Sequence, residues 1–233
     1  MIKADKILIR SPNWVGDVVM ATPAFRSIRE SFPHAKISIL LKPYVKLILK
    51  DSPWFDSFIE YGNGIKLIGR GYGKFWKLTK KLKEEDYDLG FIFPNSFSSA
   101  MMFWLAGVRK RIGYIRDARG WLLTDGLERV KRNGKFVPAY MADYYLRLCY
   151  AAGCKETSNH LELFTSNEDE NRLDKILSKY KIPLKKHTIL VNPGAAYGSS
   201  KCWTATGFAQ TIDLLSETID CNIILYIGII CFP

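Results

Sequence analysis

The chain is poor in the residues from which metal sites and disulfide frameworks are built. It has only three histidines in 233 residues, at positions 34, 160 and 187, and their spacing matches no metal-ligand pattern. Its five cysteines are odd in number and form no CxxC pair. These absences argue against zinc modules and small disulfide-rich domains, and they predict a protein with reduced thiols.

Long apolar runs are also missing. No stretch reaches the ~18 residues that a membrane-spanning helix needs. The opening residues, MIKADKILIR, lack the apolar region and cleavage site of a signal peptide. Together with the cysteine pattern, this predicts a cytoplasmic protein. Hydrophobic residues make up 48% of the chain, which is enough for a core and argues against disorder.

Acidic residues are too few to balance the basic ones. The formal net charge is +11, and residues 101–150 hold ten Lys and Arg against four Asp and Glu. Such a surface suits nucleic acid, an anionic membrane or a phosphorylated substrate. No known nucleic-acid motif is interleaved with the basic residues, so a nucleic-acid partner is the weakest of the three and is not expected.

Alternation of apolar strands with amphipathic helices is the main structural signal. Such alternation predicts an α/β fold with a parallel sheet and right-handed crossovers. Pro23 suits a kink or a restarted helix. In the first part of the chain the predicted strands are Lys6–Arg10, Ile37–Leu41, Ser57–Tyr61 and Leu89–Phe93, and the predicted helices are 18–31, 44–50, 74–85, 96–106 and 138–153.

A second βα series follows a linker near residues 154–166. It predicts helices over 168–180 and 204–219 and strands over Thr188–Asn192 and Asn222–Ile227. We therefore expect two domains, 1–165 and 166–233. The second is expected to be incomplete, since an α/β domain needs ~100–150 residues. The ending GIICFP suggests a truncated or frameshifted tail.

Asp17 and Asn95 each follow a predicted strand. In open parallel sheets, ligands bind beyond the carboxyl ends of the strands, so both side chains are expected at that rim. Asp17 has two interpretations, which are compatible. It is a good helix N-cap, and a carboxylate held at a helix start is also well placed for general-base catalysis. Spacing alone favours the cap.

The segment NPGAAYGSSKCW, residues 192–203, lies between a predicted strand and a predicted helix. Small residues such as Gly194 and Ala195 let backbone amides approach an anion, and Lys201 adds a positive charge. The segment is neither a Walker loop nor a GxGxxG motif. An ordinary surface lysine at 201 and a core anchor at Trp203 are the alternatives.

Four motifs together resemble the heptosyltransferases that act on lipopolysaccharide, most closely the heptosyltransferase II type. They are PNWVGDVVMATPAFRSIRESFPHAKI near the start, FPNSFSSAMMFWLAG at 93–107, RIGY at 111–114 and NPGAAYGSSKCW. They follow the order and spacing of that family and cover nearly the whole chain.

The resemblance implies a GT-B-type glycosyltransferase with two Rossmann-like domains. The N-terminal domain would bind the acidic inner core of lipopolysaccharide, and the C-terminal domain would bind ADP-heptose. Transfer would invert the anomeric centre and need no metal and no cofactor beyond the donor. A contact with the inner membrane surface is a further expectation, because the acceptor is lipid-anchored.

The resemblance also implies roles for particular residues. Asp17 matches the general base. Lys201, with Gly194 and Ala195, matches the region that meets the donor pyrophosphate. Asn95, Ser96, Arg116 and Arg119 are expected in the acceptor cleft, where the wider basic segment (Arg109, Lys110, Arg111, Arg116, Arg119) would offer counter-charges.

One motif points elsewhere. Asp86-Tyr-Asp88 spells the DxD signature of a different, metal-dependent glycosyltransferase fold. It precedes the strand Leu89–Phe93, at the wrong end of the sheet for a ligand, so we interpret it as a solvated turn.

Because the donor domain is expected to be incomplete, we expect this chain to be a truncated heptosyltransferase with little or no activity. Two alternatives stay open. The chain could be a remnant that binds the acceptor without catalysis, or a relative that uses another donor sugar.

Overall fold

The computed structural model describes residues 2–62, 65–183, 187–194 and 203–226. The chain divides into two compact units, Met1–Phe164 and Thr165–Pro233. Among the described residues, no helix is both long and apolar enough to cross a membrane.

The first unit is built on a six-stranded parallel sheet, so the predicted α/β class is confirmed. Its strand order is β3-β2-β1-β4-β5-β6. The strands are β1 (Lys6–Arg10), β2 (Lys36–Leu41), β3 (Ser57–Glu60), β4 (Leu89–Ile92), β5 (Lys110–Tyr114) and β6 (Asp125–Leu127).

The central strand β1 is buried on both faces, which explains its continuous apolar run. Ile7 is paired with Ile37 on β2 and with Leu89 on β4. This register brings the carboxyl ends of β1 and β4 to one edge of the sheet. The segments that carry Asp17 and Asn95 both leave from that edge.

Helices cover both faces of the sheet. One face packs against α1 (Val15–Met20), α2 (Thr22–Ser31), α3 (Pro43–Leu49) and α6 (Met141–Ala151). The other packs against α4 (Tyr72–Glu84), α5 (Phe97–Leu105) and a 3₁₀ turn at Gly120–Leu122. Each face thus has its own apolar core.

The predicted break at Pro23 is confirmed. Helix α1 ends at Met20 with Ala21 as its C-cap. Pro23 lies in the first turn of α2, where its missing N–H leaves no helical hydrogen bond unmade. Ala21 joins the two helices and is itself buried.

Residues 125–136 contain short strands that the sequence patterns did not predict. After β6, strands β7 (Lys131–Arg132) and β8 (Lys135–Phe136) pair as an antiparallel hairpin. Asn133 and Gly134 form its turn with φ of 52° and 74°, as expected for an Asn-Gly two-residue hairpin.

The second unit contains the four elements predicted for it, with bounds shifted by one or two residues. They are α7 (Asn167–Lys179), β9 (His187–Val191), α8 (Ala205–Thr218) and β10 (Cys221–Leu225). Strands β9 and β10 pair in parallel. A capping box between Ser166 and Asp169 starts α7.

Candidate functional site

A cavity of about 430 Å³ opens at the carboxyl edge of the sheet in the first unit, and we call it the first cavity. It contains Asp17 and Asn95, as the sequence predicted for this edge. Its described lining is Pro12, Asn13, Trp14, Asp17, Phe93, Pro94, Asn95, Arg116, Arg129, Val130, Val137, Ala139, Met141, Tyr144, Tyr145 and Arg147.

Asp17 is the third residue of α1 and not its N-cap, so the cap interpretation is wrong. The N-cap position belongs to Trp14, whose backbone is extended. Asp17 still benefits from the positive end of the short helix. Burial raises the pKa of its carboxyl group, and a hydrogen bond with the Tyr145 hydroxyl partly opposes this rise. The carboxylate is thus a stronger base than an exposed aspartate.

Tyr145 is a site residue that sequence reasoning missed. It lies on α6 and is 4% exposed, with its ring 5.4 Å from that of Phe93. Burial and the charge of Asp17 raise the pKa of Tyr145, so its hydroxyl stays protonated and able to donate. Because α6 packs on α1 and α2, a distant segment completes the environment of Asp17.

Arg119 is buried and holds the backbone of the loop after β4, which carries Asn95. It has 0% exposure, and its guanidinium donates to the carbonyls of Tyr114 (3.0 Å), Ser96 (3.2 Å) and Pro94. Burial lowers the pKa of Arg119 to about 10. The expectation of a direct acceptor contact does not fit this burial, because the donors are used to hold the loop after β4.

Asn95 is held at the cavity wall by that loop. Its amide lies 3.2 Å from the Tyr144 hydroxyl, and its Oδ1 accepts a long hydrogen bond (3.4 Å) from Arg119. The ring of Tyr144 is stacked on Tyr114, with centroids 3.9 Å apart. Asn95 is therefore fixed while its side chain still lines the cavity.

The first cavity is lined by three arginines, of which the sequence analysis named only Arg116. Arg129 comes from the segment before the hairpin, and Arg147 comes from α6. Asp17 is the one acidic residue in the described lining. The cavity is therefore cationic around a single carboxylate.

Other members of the predicted basic segment lie elsewhere. Arg109 forms ion pairs with Asp86 and Asp88 at the opposite edge of the sheet. Asp88 also accepts from the backbone N–H groups of Asp5 and Lys6. The DxD-like pair is therefore structural.

The guanidinium of Arg111 donates to the carbonyls of Leu122 and Val108. It holds the backbone beside β5 and is not among the residues that line the first cavity.

Ser96 occupies the N-cap position before α5, but its hydroxyl does not cap the helix. Its Oγ lies 2.7 Å from the Oγ of Ser99. Ser96 lines a second cavity of about 280 Å³, which shares Asn13 with the first. We call this the second cavity.

In the second unit, Gly194 follows β9 as predicted, and its N–H donates to Oδ1 of Asn192 (3.2 Å). Ala195 and Lys201 lie outside the described residues. Helix α8 then starts at an N-cap, Thr204, whose hydroxyl accepts from the N–H of Gly207 (3.0 Å). Among the described residues, no group of three or more His, Cys, Asp and Glu is arranged to hold a metal ion.

The sequence is similar to known sugar-transferring enzymes. The profile of glycosyltransferase family 9 (heptosyltransferase) matches residues 75–229. The chain is 28% identical over 221 residues to lipopolysaccharide heptosyltransferase 2 of Escherichia coli K12, a match that covers 92% of the chain and 60% of that relative. The chain thus spans about three fifths of the length of the curated relatives it matches.

Solved structures agree with the sequence matches. The structure of E. coli ADP-heptose LPS heptosyltransferase II matches with a TM-score of 0.74 at 25% identity, over 94% of this chain and 63% of that one. A glycosyltransferase family 9 structure from Veillonella parvula DSM 2008 gives 0.82 at 18% identity, over 97% and 63%, and shows the fold alone. These matches confirm the predicted GT-B-type fold and the resemblance found in the motifs.

Proposed function

The chain belongs to glycosyltransferase family 9, and on this basis we propose that it takes part in transferring a heptose from ADP-heptose to the inner core of lipopolysaccharide. The observation that carries this proposal is the position of Asp17. It is a single carboxylate of raised pKa, held at the carboxyl edge of the sheet in a cavity with three arginines.

Asp17 would act as the general base. Its carboxylate takes the proton from an acceptor hydroxyl as that oxygen bonds to the anomeric carbon of the donor. The bond from this carbon to the ADP oxygen breaks on the opposite face, so ADP leaves with the electron pair and the centre inverts. The transition state is oxocarbenium-like, as in other glycosyl transfers.

The arginines of the first cavity would receive an acidic acceptor. Arg116 and Arg147 can form bidentate contacts with carboxylate or phosphate groups. Asn95, held in place by Arg119 and Tyr144, offers a neutral hydrogen-bonding group beside them. Arg119 acts here as a positioning residue. Ser96 would contact the acceptor from the adjoining second cavity.

Donor binding is assigned to the segment after β9. Gly194, Ala195 and Lys201 would meet the pyrophosphate, with backbone amides and the lysine ammonium opposing its charge. The solved E. coli structure that the chain matches is an ADP-heptose LPS heptosyltransferase II, which supports ADP-heptose as the donor. The charge on the departing ADP would be stabilised by the same groups.

We also propose a cytoplasmic location with peripheral contact at the inner membrane surface. Helix α4 supports this, because it exposes five lysines (Lys74, Lys77, Lys80, Lys81 and Lys83) on its solvent side. Tyr72 and Trp76 are 51% and 39% exposed beside them. Lysines attract anionic lipids, and Tyr and Trp favour the headgroup region.

The test is calorimetric titration of the chain with an inner-core oligosaccharide acceptor and, separately, with ADP-heptose, followed by mass spectrometry for an added heptose. We expect acceptor binding that depends on Arg116 and Arg147. A remnant without catalysis would bind the acceptor but would not add a heptose to it. A relative that uses another donor sugar would bind the acceptor but not ADP-heptose. Failure to bind the acceptor would contradict the proposal.

A further inference from the structure

The second cavity has two positively charged side chains in its wall. It lies beyond the carboxyl ends of β1 and β2 and beside the start of α5. Its described lining contains two cations, three serines and no acid. The residues are Arg10, Asn13, Leu40, Lys42, Tyr61, Ile65, Phe75, Ser96, Ser98, Ser99 and Met102.

Arg10 is the fixed charge of this cavity. It is 6% exposed and donates to the carbonyl of Ser11 (2.7 Å), to Oδ1 of Asn13 (2.9 Å) and to the Tyr61 hydroxyl. All of these acceptors are neutral. Within the described parts of the chain, no carboxylate forms an ion pair with Arg10. A buried charge without a counter-charge is costly.

Lys42 places a second positive charge close to that of Arg10. Its ammonium lies 4.9 Å from the centre of the Tyr61 ring, and the guanidinium of Arg10 lies 4.2 Å from the same centre. Burial lowers the pKa of Lys42, and the charge of Arg10 lowers it further. An anion placed between the two groups would relieve this repulsion.

Hydroxyl donors complete the surroundings. Ser96 and Ser99 lie 2.7 Å apart, and Ser98 is 3.4 Å from Ser96. Hydroxyl and cationic donors together suit a carboxylate or a phosphate, both of which accept several hydrogen bonds. The apolar side chains on the remaining wall suit the carbon face of a sugar ring.

We propose that the second cavity binds the anionic group, carboxylate or phosphate, of an acidic sugar in the acceptor. Asn13 lines both cavities, so a sugar anchored here by its charge extends past Asn13 toward Asp17. This assignment rests on the proposed function. The assignment explains why the positively charged second cavity lies beside the cavity that contains Asp17.

The test is an NMR titration of the full chain with glucuronate, glucose 6-phosphate, inorganic phosphate and neutral glucose. We expect the two acidic sugars to shift the Arg10 side-chain N–H signals and to bind more tightly than glucose or free phosphate. Lys42→Gln should weaken both by roughly tenfold, the value of one charge-assisted hydrogen bond. The matched control is Lys77→Gln, which removes an exposed charge from α4 and should change binding less than twofold.

Three results would overturn the proposal. The first is binding of glucose as tight as that of the acidic sugars. The second is equal weakening by Lys42→Gln and Lys77→Gln, which would indicate a general charge effect. The third is free phosphate binding as tightly as glucose 6-phosphate, which would indicate an ion site without a sugar. The Arg10 signals of the parent chain locate binding without the need for a variant.

Two outcomes separate this inference from the proposed function. Acidic sugars that bind to a chain with no affinity for the core acceptor would defeat the proposed function alone. Core binding without any shift of the Arg10 signals would defeat the second-cavity proposal alone.

Discussion

The Tyr145 hydroxyl faces the carboxylate of Asp17, although the two residues lie at opposite ends of the first unit's sequence. The packing of α6 against α1 and α2 brings them together. Burial raises the pKa of the Asp17 carboxyl group, whereas the hydrogen bond from the Tyr145 hydroxyl stabilises the ionised carboxylate and lowers that pKa. The basicity of Asp17 is thus set by two opposing effects, burial and the hydrogen bond with Tyr145.

Tyr145→Phe should raise the pKa of Asp17 further. The change keeps the ring and its packing but removes the hydrogen bond that favours the ionised carboxylate. Carbon-detected NMR titration of the Asp17 carboxyl group measures this directly. Tyr150→Phe is the control, since its hydroxyl donates to the carbonyl of Thr157 (3.3 Å). A lower or unchanged pKa in Tyr145→Phe would contradict the arrangement.

Asp17→Asn should leave the chain folded and slightly more stable at neutral pH. A pKa raised by burial means that the ionised group costs stability above its folded-state pKa. This cost disappears as the pH falls below the unfolded-state pKa, so the variant's advantage should vanish on acidification. Thermal melts between about pH 3 and pH 7 give the comparison, since the unfolded-state pKa of an aspartate is about 3.9. A variant less stable at neutral pH would mean that the helix-terminus charge interaction outweighs burial.

Arg119→Ala should destabilise the first unit by about 3 kcal/mol or more, because several buried carbonyls lose their donor. The matched control is Arg109→Ala, whose exposed ion pairs with Asp86 and Asp88 are expected to contribute less than about 1 kcal/mol. Urea unfolding of both variants measures the difference. Similar losses from the two changes would show that Arg119 does not support the loop after β4.

Removing the charges of α4 should weaken binding to anionic vesicles. The triple change of Lys77, Lys80 and Lys81 to glutamine is expected to cost about 1 kcal/mol per lysine near the surface. Co-sedimentation with vesicles containing phosphatidylglycerol, at low and high salt, measures this. Lys36→Gln, Lys46→Gln and Lys50→Gln together provide the control for net charge. Equal binding to neutral vesicles would argue against an electrostatic membrane contact.

Local patterns made the sheet edge predictable from the sequence. The apolar runs of β1 and β4 mark strands, and the position of Asp17 and Asn95 after them follows from parallel-sheet geometry. The short, polar strands β6, β7 and β8 carry no such pattern. Strand β6 forms by pairing with β5 and so depends on the tertiary fold. Strands β7 and β8 instead pair with each other across the Asn133-Gly134 turn.

The remaining site residues depend on packing that a sequence pattern does not contain. Tyr145 and Arg147 sit on a helix whose periodicity predicts a buried face but not what that face touches. Arg119 resembles its basic neighbours in sequence and differs from them only in burial. The composition therefore predicts an acidic partner without predicting which arginines would contact it.

The most direct test of the account is calorimetry of the inner-core acceptor against the parent chain, Asp17→Asn and the double variant Arg116→Gln with Arg147→Gln. The account predicts that Asp17→Asn binds as the parent does and that the double variant loses roughly tenfold or more in affinity. Equal affinity of the double variant and the parent would contradict an acceptor site in the first cavity.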